Sequence, residues 1–444
     1  MATSSYPERL KIEKLSKKGL TDQQIAEQLG FSIHTVRKWR RRLKRGGKEA
    51  VLSHMGRPKQ GAMSRYPLEM RQELKRWCKR HPGWGALTLR TELSLGEAFR
   101  GRPLPSRATL ARWLKQEGEV RLYEKHSQLP ETTPHSVQAC HEEWEMDARG
   151  YSRVPDLGLV SLIDINDVYS RVKVLSYPCW MGKKRIEHYP STEDYQLALR
   201  LAFTEWGLPR QLATDHDRVF YDETSKSPFP TRFHLWLLAL GVNLQFGRIG
   251  HPTDQGMTER SHQTWASQVL QGTTFECYQA LWKALEQRKH FLNEHLPCRS
   301  LKDMPPLLAH PQARTPRQPY RPEWESDLLD LSRVYTFLAQ GQWFRKVSAV
   351  GTISIGRHIY HLGYDWRPDG YAELTFDPST CEFACHTPSG KHTRLPAAWL
   401  TKEELMGELF QFQQIPFQLA LPFSGNEWRA LFYEHMPARG DTTL

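Results

Sequence analysis

The sequence predicts a multidomain chain with N-terminal all-α units, a central α/β core built on a mixed sheet, and a C-terminal small β-barrel followed by a helical tail. Three observations carry that prediction. The first is charge: residues 1–125 hold 29 Lys+Arg against 12 Asp+Glu and residues 126–444 hold 32 against 37, so the +12 of the 444-residue chain is concentrated in its first quarter. The second is a helical pattern that occurs twice in that basic quarter, and the third is a change of texture at residue 141 to β-branched runs that then alternate with helices. A basic front end on a slightly acidic remainder points to nucleic acid as a partner. The chain has no bilayer-length apolar run, and its start, MATSSYPERL, lacks the apolar core of a signal peptide, which predicts a cytoplasmic protein with no membrane partner. Seven scattered cysteines, an odd number, favour reduced thiols in the same compartment.

Residues 1–50 read as three short helices. Leu10, Ile12 and Leu15 fit the first, which Gly19 ends. Thr21 and Gln24 have capping-box spacing at the start of the second, Ile25, Ala26 and Leu29 form its inner face, and Gly30 suits a left-handed stop. Ser32 caps the third, IHTVRKWRRRLKR, whose Ile33, Val36, Trp39 and Leu43 point inward. His34, Thr35, Lys38, Arg41, Arg42 and Arg45 are left outside, and eight of residues 37–48 are basic, more than a solvated face needs. Two short helices, a tight turn and a basic second helix make a helix-turn-helix whose second helix enters the major groove, so those six residues are candidate DNA contacts.

A basic linker over 51–64, with Arg57 and Lys59 as further candidate DNA contacts, leads to a second helix-turn-helix-like unit over 65–122. Residues 65–80 form a Lys/Arg-rich helix, and HPGWGALTLRTEL opens another with Trp84, Leu87, Leu89 and Leu93 available for a core. LPSRATLARWLKQEG then offers Ser106 as cap, Leu110, Trp113 and Leu114 inward, and Arg107, Thr109 and Arg112 as candidate DNA contacts. A small helical packing domain is the alternative, because this reading helix is less basic. Residues 123–140 are a second linker.

Residues 141–300 supply the core. EEWEMDARG, LGLVSLIDIND and RVKVLSYPC are strand-like, STEDYQLALRLAFTEWG is an amphipathic helix, and QLATD is a short strand. FHLWLLALG is a helix, VNLQFG a strand, and HPTDQGMTERSHQTWASQVLQG a helix entered through a Pro/Gly loop. The order places Asp147 in the first strand, Asp215 at the C-terminal end of the fourth and Glu259 on the first turn of the last helix. Three carboxylates brought together from separate elements repel one another unless divalent cations offset their charge, and hard oxygen ligands suit magnesium or manganese. Asp164 and Asp167 in LIDINDVYSR fit a turn better, and Asp254 a helix cap. Around Glu259, residues His251, Arg260, His262 and Gln263 are either DNA contacts or plain surface.

The stretches WEMD, LPRQLATDHDRVF and HPTDQGMTERSHQT, in this order and context, resemble the ribonuclease-H-like catalytic core of retroviral integrases and DDE transposases. His216 and Asp217 stand where that family usually has Asn and Gly. The resemblance implies that Asp147, Asp215 and Glu259 are the catalytic residues and hold two Mg2+ (or Mn2+) ions per active site, Asp147 shared by both, Asp215 on one and Glu259 on the other. It implies a DNA transposase of the bacterial insertion-sequence kind, nucleoid-associated, acting as a dimer or tetramer on DNA. Such an enzyme binds the terminal inverted repeats of its element, cleaves at the 3′ ends and joins them to target DNA, in some related elements with an ATPase partner that selects the target. A catalytically silent DNA-binding regulator and a metal-dependent nuclease without joining are the alternatives.

Residues 301–330, with six prolines between Pro305 and Pro322, read as a linker. Short alternating strands over 331–395 predict the small β-barrel, similar to the barrel that follows the core in insertion-sequence and phage-Mu-like transposases, with Arg345, Lys346, Arg357 and His358 facing DNA or a protein partner. Cys381 and Cys385, with His386 and His392 nearby, lack the knuckle that a zinc site needs. Residues 396–444 form the helical tail, with Leu405, Leu409 and Phe410 available to dock.

Overall fold

Three helices build the first unit of the chain: α1 (Tyr6–Lys17), α2 (Asp22–Leu29) and α3 (Ile33–Gly46). The computed structural model describes residues 6–51, 61–117, 137–148, 150–155, 157–222, 227–247 and 256–407. It divides into two units, Met1–Arg71 and Gln72–Leu444. In the first, Thr21 and Gln24 form the reciprocal capping box, Gly30 takes the left-handed conformation (φ 69°) that a side chain would resist, and Ser32 accepts from the Thr35 amide at 3.2 Å. Ile12, Ile25, Val36, Trp39 and Val51 are the buried core, and the Arg9 guanidinium lies 4.1 Å over the Trp39 ring while donating to the Val51 carbonyl at 3.0 Å.

The next helices are α4 (Leu68–Arg80), α5 (Ala86–Leu95) and α6 (Arg107–Gln116). The first starts at Leu68 because Tyr66, which precedes Pro67, is held extended. Ser106 caps α6, and Leu110, Trp113 and Leu114 are buried. A segment with its own 3-10 turn at Glu97–Phe99 separates α5 from α6, a longer joint than the tight turn between α2 and α3. This helical group rests on the core: the Trp84 indole donates to the Gln268 carbonyl at 3.2 Å, and Arg288 is held 4.3 Å from the Trp84 ring and 3.9 Å from that of Phe291.

The core holds β1 (Glu143–Ala148), β2 (Ser152–Val154), β3 (Gly158–Asp167), β4 (Lys173–Gly182), α7 (Thr192–Trp206), β5 (Gln211–Thr214), α8 (Arg232–Ala239), β6 (Asn243–Phe246), α9 (Gly256–Trp265) and α10 (Tyr278–Glu294). Its main sheet runs β4-β3-β1-β5-β6, with β3 antiparallel to both neighbours and β1, β5 and β6 parallel, while β2 pairs with the edge of β3. This is the mixed sheet expected. Alternation sorts the two faces. Trp144 and Met146 of β1 and Ile163 and Ile165 of β3 join the cluster formed with α7 and α8. The opposite parity on β3, Val160 and Leu162, packs with Trp265 of α9 and Leu281 and Leu285 of α10. Glu145, Asp147 and Asp164 therefore face α9.

Beyond the core come α11 (Pro306–Ala309), α12 (Glu325–Leu328), α13 (Leu331–Ala339), β7 (Gln342–Lys346), β8 (Thr352–Ile355), β9 (His358–His361), β10 (Tyr371–Asp377), β11 (Glu382–His386), β12 (His392–Pro396) and α14 (Lys402–Met406). The proline-rich stretch that composition marks as a linker is bound to the core. Arg200 of α7 makes a two-pronged pair with Glu325 at 2.6 and 2.7 Å, and the His141 ring bonds the Ala313 carbonyl at 2.7 Å. The described strands do not close into the barrel expected. They form an open sheet β12-β11-β10-β7 and a separate β8-β9 hairpin. The outer edge of β7 is taken by a core loop, where the Phe344 amide donates to Ser227 Oγ at 3.2 Å and Arg345 to the Ser227 carbonyl at 2.7 Å. Phe229 from the same loop inserts among Trp343, Phe383 and Trp399.

Arg345, expected on a DNA-facing surface, is therefore buried and spent on backbone carbonyls, and His358 stacks on Trp399 at 4.5 Å; Lys346 and Arg357 are exposed. Of the expected tail, α14 is seen with Leu405 buried, whereas Leu409 and Phe410 lie outside the described residues.

Candidate functional site

Two of the three acids singled out in the sequence are neighbours. In the parallel ladder Glu145 sits opposite Ala213, and continuing that register by two residues sets Asp147 beside Asp215, just past the end of β5. Both are half-buried. Burial pushes the Asp215 carboxyl up, the Asp217 amide bonded to its Oδ1 at 3.1 Å pulls it down, and the charges of Asp147 and Asp217 push it up again. Asp217 closes the turn after β5: its carboxylate accepts from the Val219 amide at 3.0 Å and its carbonyl from the Phe220 and Tyr221 amides at 2.9 Å.

Glu259 lies on the first turn of α9, as expected, but is exposed and makes no hydrogen bond or ion pair among the described residues. Within the same residues, no three His, Cys, Asp or Glu side chains converge as ligands of one ion. Asp147 and Asp215 fit a divalent cation as hard oxygen donors whose mutual repulsion a cation would relieve. Glu259 is not joined to that pair.

What the structure adds is His262, one turn beyond Glu259. It donates from Nε2 to Asp147 Oδ2 at 3.0 Å and from Nδ1 to Asp164 Oδ2 at 2.6 Å. Both partners are carboxylates, so both ring nitrogens carry protons. Burial would lower the pKa of this imidazole, but the two hydrogen bonds and the charges of Asp164 and Asp147 raise it to about 9. Asp164 is 0% exposed and lies in the middle of β3, directly opposite Asp147, not in a turn as expected; Ser176 donates to its other oxygen at 2.5 Å. Asp167 does serve the turn, accepting from the Ser170 amide at 2.9 Å and the His141 amide at 2.8 Å.

Further polar contacts seat α9. Thr258 donates to Glu145 Oε2 from its hydroxyl at 2.9 Å and its amide at 3.2 Å. Half-buried Lys173 donates to Asn166 Oδ1 at 2.9 Å and Ser261 Oγ at 3.0 Å, and desolvation of its ammonium lowers its pKa to about 8. The inward stripe Thr258, Ser261, His262 and Trp265 has helical spacing that the sequence shows, and Asp164 is the one acid inside the apolar run LVSLIDI. Those two signals mark each residue as inward-facing, although neither points to the other.

The candidate DNA contacts fall as follows. On α3, His34, Lys38, Arg41, Arg42 and Arg45 are exposed, while Thr35 is half-buried with its hydroxyl 2.8 Å from Ser32 Oγ. On α6, Arg107 and Arg112 are exposed, and Thr109 repeats the cap arrangement, 3.0 Å from Ser106 Oγ. Arg260 and Gln263 are exposed on α9. Arg57, Lys59, His251 and Asp254 lie outside the described residues. His262 is committed to carboxylates and is not an exposed DNA contact. No described helix is long and apolar enough to cross a membrane.

Residues 3–52 match the family model of a homeodomain-like domain, so the front end is a helix-turn-helix domain of that kind. Among solved structures, the chain is similar to the HTLV-2 integrase catalytic core domain in complex with magnesium, at 15% identity over 38% of this chain and 96% of that one, TM-score 0.29. It is similar to the BIV integrase catalytic core domain at 15% identity, over 39% and 95%, TM-score 0.28. It is also similar to a chain of the simian T-cell lymphotropic virus intasome solved with PP2A regulatory subunit B56 gamma, at 14% identity over 71% and 97%, TM-score 0.31.

Proposed function

We propose that the protein is a DNA transposase of the DDE type, a metal-dependent polynucleotidyl transferase. The observation that carries this reading is Asp147 on β1 beside Asp215 just past the end of its parallel neighbour β5, in a mixed sheet against the helix that bears Glu259 and in a chain with a homeodomain-like domain over residues 3–52. In this reading α3 reads the terminal inverted repeats of a mobile element through His34, Thr35, Lys38, Arg41, Arg42 and Arg45. Arg57 and Lys59 of the linker and Arg107, Thr109 and Arg112 of α6 extend the contact, and Arg260 and Gln263 touch DNA beside the active site.

In this reading Asp147, Asp215 and Glu259 would hold two magnesium or manganese ions, which would offset charge at the scissile phosphate and favour an in-line displacement. The residues' own task is to fix that geometry at the ends of β1 and β5. Water attack exposes a 3′-hydroxyl, and that hydroxyl then attacks a target phosphate, one phosphodiester bond being exchanged for another with no covalent enzyme intermediate. Two element ends must be joined together, so the working form is a homo-oligomer on DNA, in the bacterial cytoplasm at the nucleoid.

A silent DNA-binding regulator is favoured by one observation, the exposure of Glu259 apart from the other two acids. A single experiment separates the readings: duplexes carrying the inverted repeats that flank the gene are incubated with the protein, target plasmid and magnesium. Joined products support the transposase, hydrolysis without joining a nuclease, and bound but intact DNA the regulator.

A further inference from the structure

The hydrogen-bonded chain Ser176–Asp164–His262–Asp147 crosses from β4 through β3 and α9 to β1, and every member but Asp147 is buried. Asp164 is removed from water, so its charge must be matched within the protein, and the imidazole of His262 together with the Ser176 hydroxyl does this. The far side of the same imidazole holds one oxygen of Asp147, Oδ2, while no donor among the described residues reaches Oδ1. A carboxylate on an exposed strand end samples several rotamers; one fixed at Oδ2 by a ring that is itself clamped presents Oδ1 in one direction. His262 is also one turn from Glu259, so the same bond ties the helix that bears Glu259 to the strand that bears Asp147.

We infer that His262 is a positioning residue which, clamped by Asp164, holds Asp147 in the orientation that receives a divalent cation and couples α9 to that site. The inference rests on the reading of Asp147 as a metal ligand. His262 does not touch the reacting phosphate. Partners of this kind behind a ligand change metal affinity by about 10- to 100-fold when removed.

The test keeps charge constant and reads metal directly. His262→Leu with Asp164→Asn removes one positive and one negative charge and takes away the side-chain donor that bonds Asp147 among the described residues. His262→Gln with Asp164→Asn is equally neutral but keeps an amide donor near the Nε2 position. Binding of Mn2+ to the full chain is followed by the electron paramagnetic resonance signal of free Mn2+, without DNA, and folding by thermal melting. The expected result is a loss of affinity of about tenfold in the leucine pair and recovery to within about threefold of wild type in the glutamine pair. Folded variants that both bind like wild type, or both weaken equally, overturn the inference. If the leucine pair does not melt cooperatively, the glutamine pair decides, and tenfold weakening in it overturns the inference. Asp147→Ala separates the two levels: if it binds Mn2+ like wild type, the metal-site reading itself fails, whereas loss there with wild-type binding in both pairs removes only His262.

Discussion

Carboxylates on the α9 side of the core sheet differ in their partners, and the partner decides what the acid can do. Glu145 is occupied by Thr258 and Asp164 by His262 and Ser176, whereas Asp147 and Asp215 keep lone pairs uncommitted beside each other. The sequence showed which acids follow apolar strands, so Asp147 and Asp215 were legible. The Asp164–His262 contact was not, because it spans 98 positions and pairs two residues that each look ordinary in their own segment. A second histidine allows a prediction with the opposite sense. Burial among Phe246 and Phe337 holds the His234 pKa down to about 4. Between the unfolded value of about 6.5 and that folded value, the unfolded chain binds a proton that the folded chain refuses. The stability contributed by neutral His234 is therefore complete above pH 6.5 and is lost as pH falls toward 4, by up to about 3 kcal/mol. Urea unfolding at pH 7 and pH 5 should show a smaller acid loss in His234→Phe than in wild type; equal losses would remove the effect.

Elements whose information is local were read well. In α2 and α3 the cap, apolar stripe and stop occupy a few consecutive positions, and Thr21, Gly30 and Ser32 do what their chemistry suggests. Trp39 closes that small core under the Arg9 guanidinium, so Trp39→Ala should cost about 3–5 kcal/mol, enough to unfold the domain, with loss of helical circular dichroism in an isolated 1–71 fragment as the check. A folded fragment would mean that the core is looser than its burial indicates. Elements fixed at long range were read poorly. Six prolines mark 301–330 as a linker, yet the short helices α11 and α12 form there, and nothing local says that Glu325 will meet Arg200, 125 positions away. The C-terminal strands were likewise visible as alternation, whereas the contacts that Ser227 and Phe229 make with them from a core loop were not.

For the whole chain, the uneven charge separates a basic front end that contains the homeodomain-like domain from a slightly acidic remainder that contains Asp147 and Asp215. Removing residues 1–50 should abolish preference for the repeat sequence and flatten the salt dependence of binding, measured as Kd against salt concentration; an unchanged slope would place the phosphate contacts elsewhere. The α4–α6 group is joined to the core through Arg288, which also pairs with Glu92 at 2.5 Å. Arg288→Ala should weaken that attachment by about 2 kcal/mol, seen as faster hydrogen exchange in α5 with the central strands unaffected.

The transposase proposal requires Asp147, Asp215 and Glu259 to form one active site. Each is replaced singly by Ala, and cleavage and joining of end-containing duplexes in magnesium are measured beside the Kd for the same DNA. All three variants should lose both reactions by about a thousandfold or more while binding DNA within about twofold of wild type. Activity near the wild-type level in any one of them would take that residue out of the site and contradict the central claim.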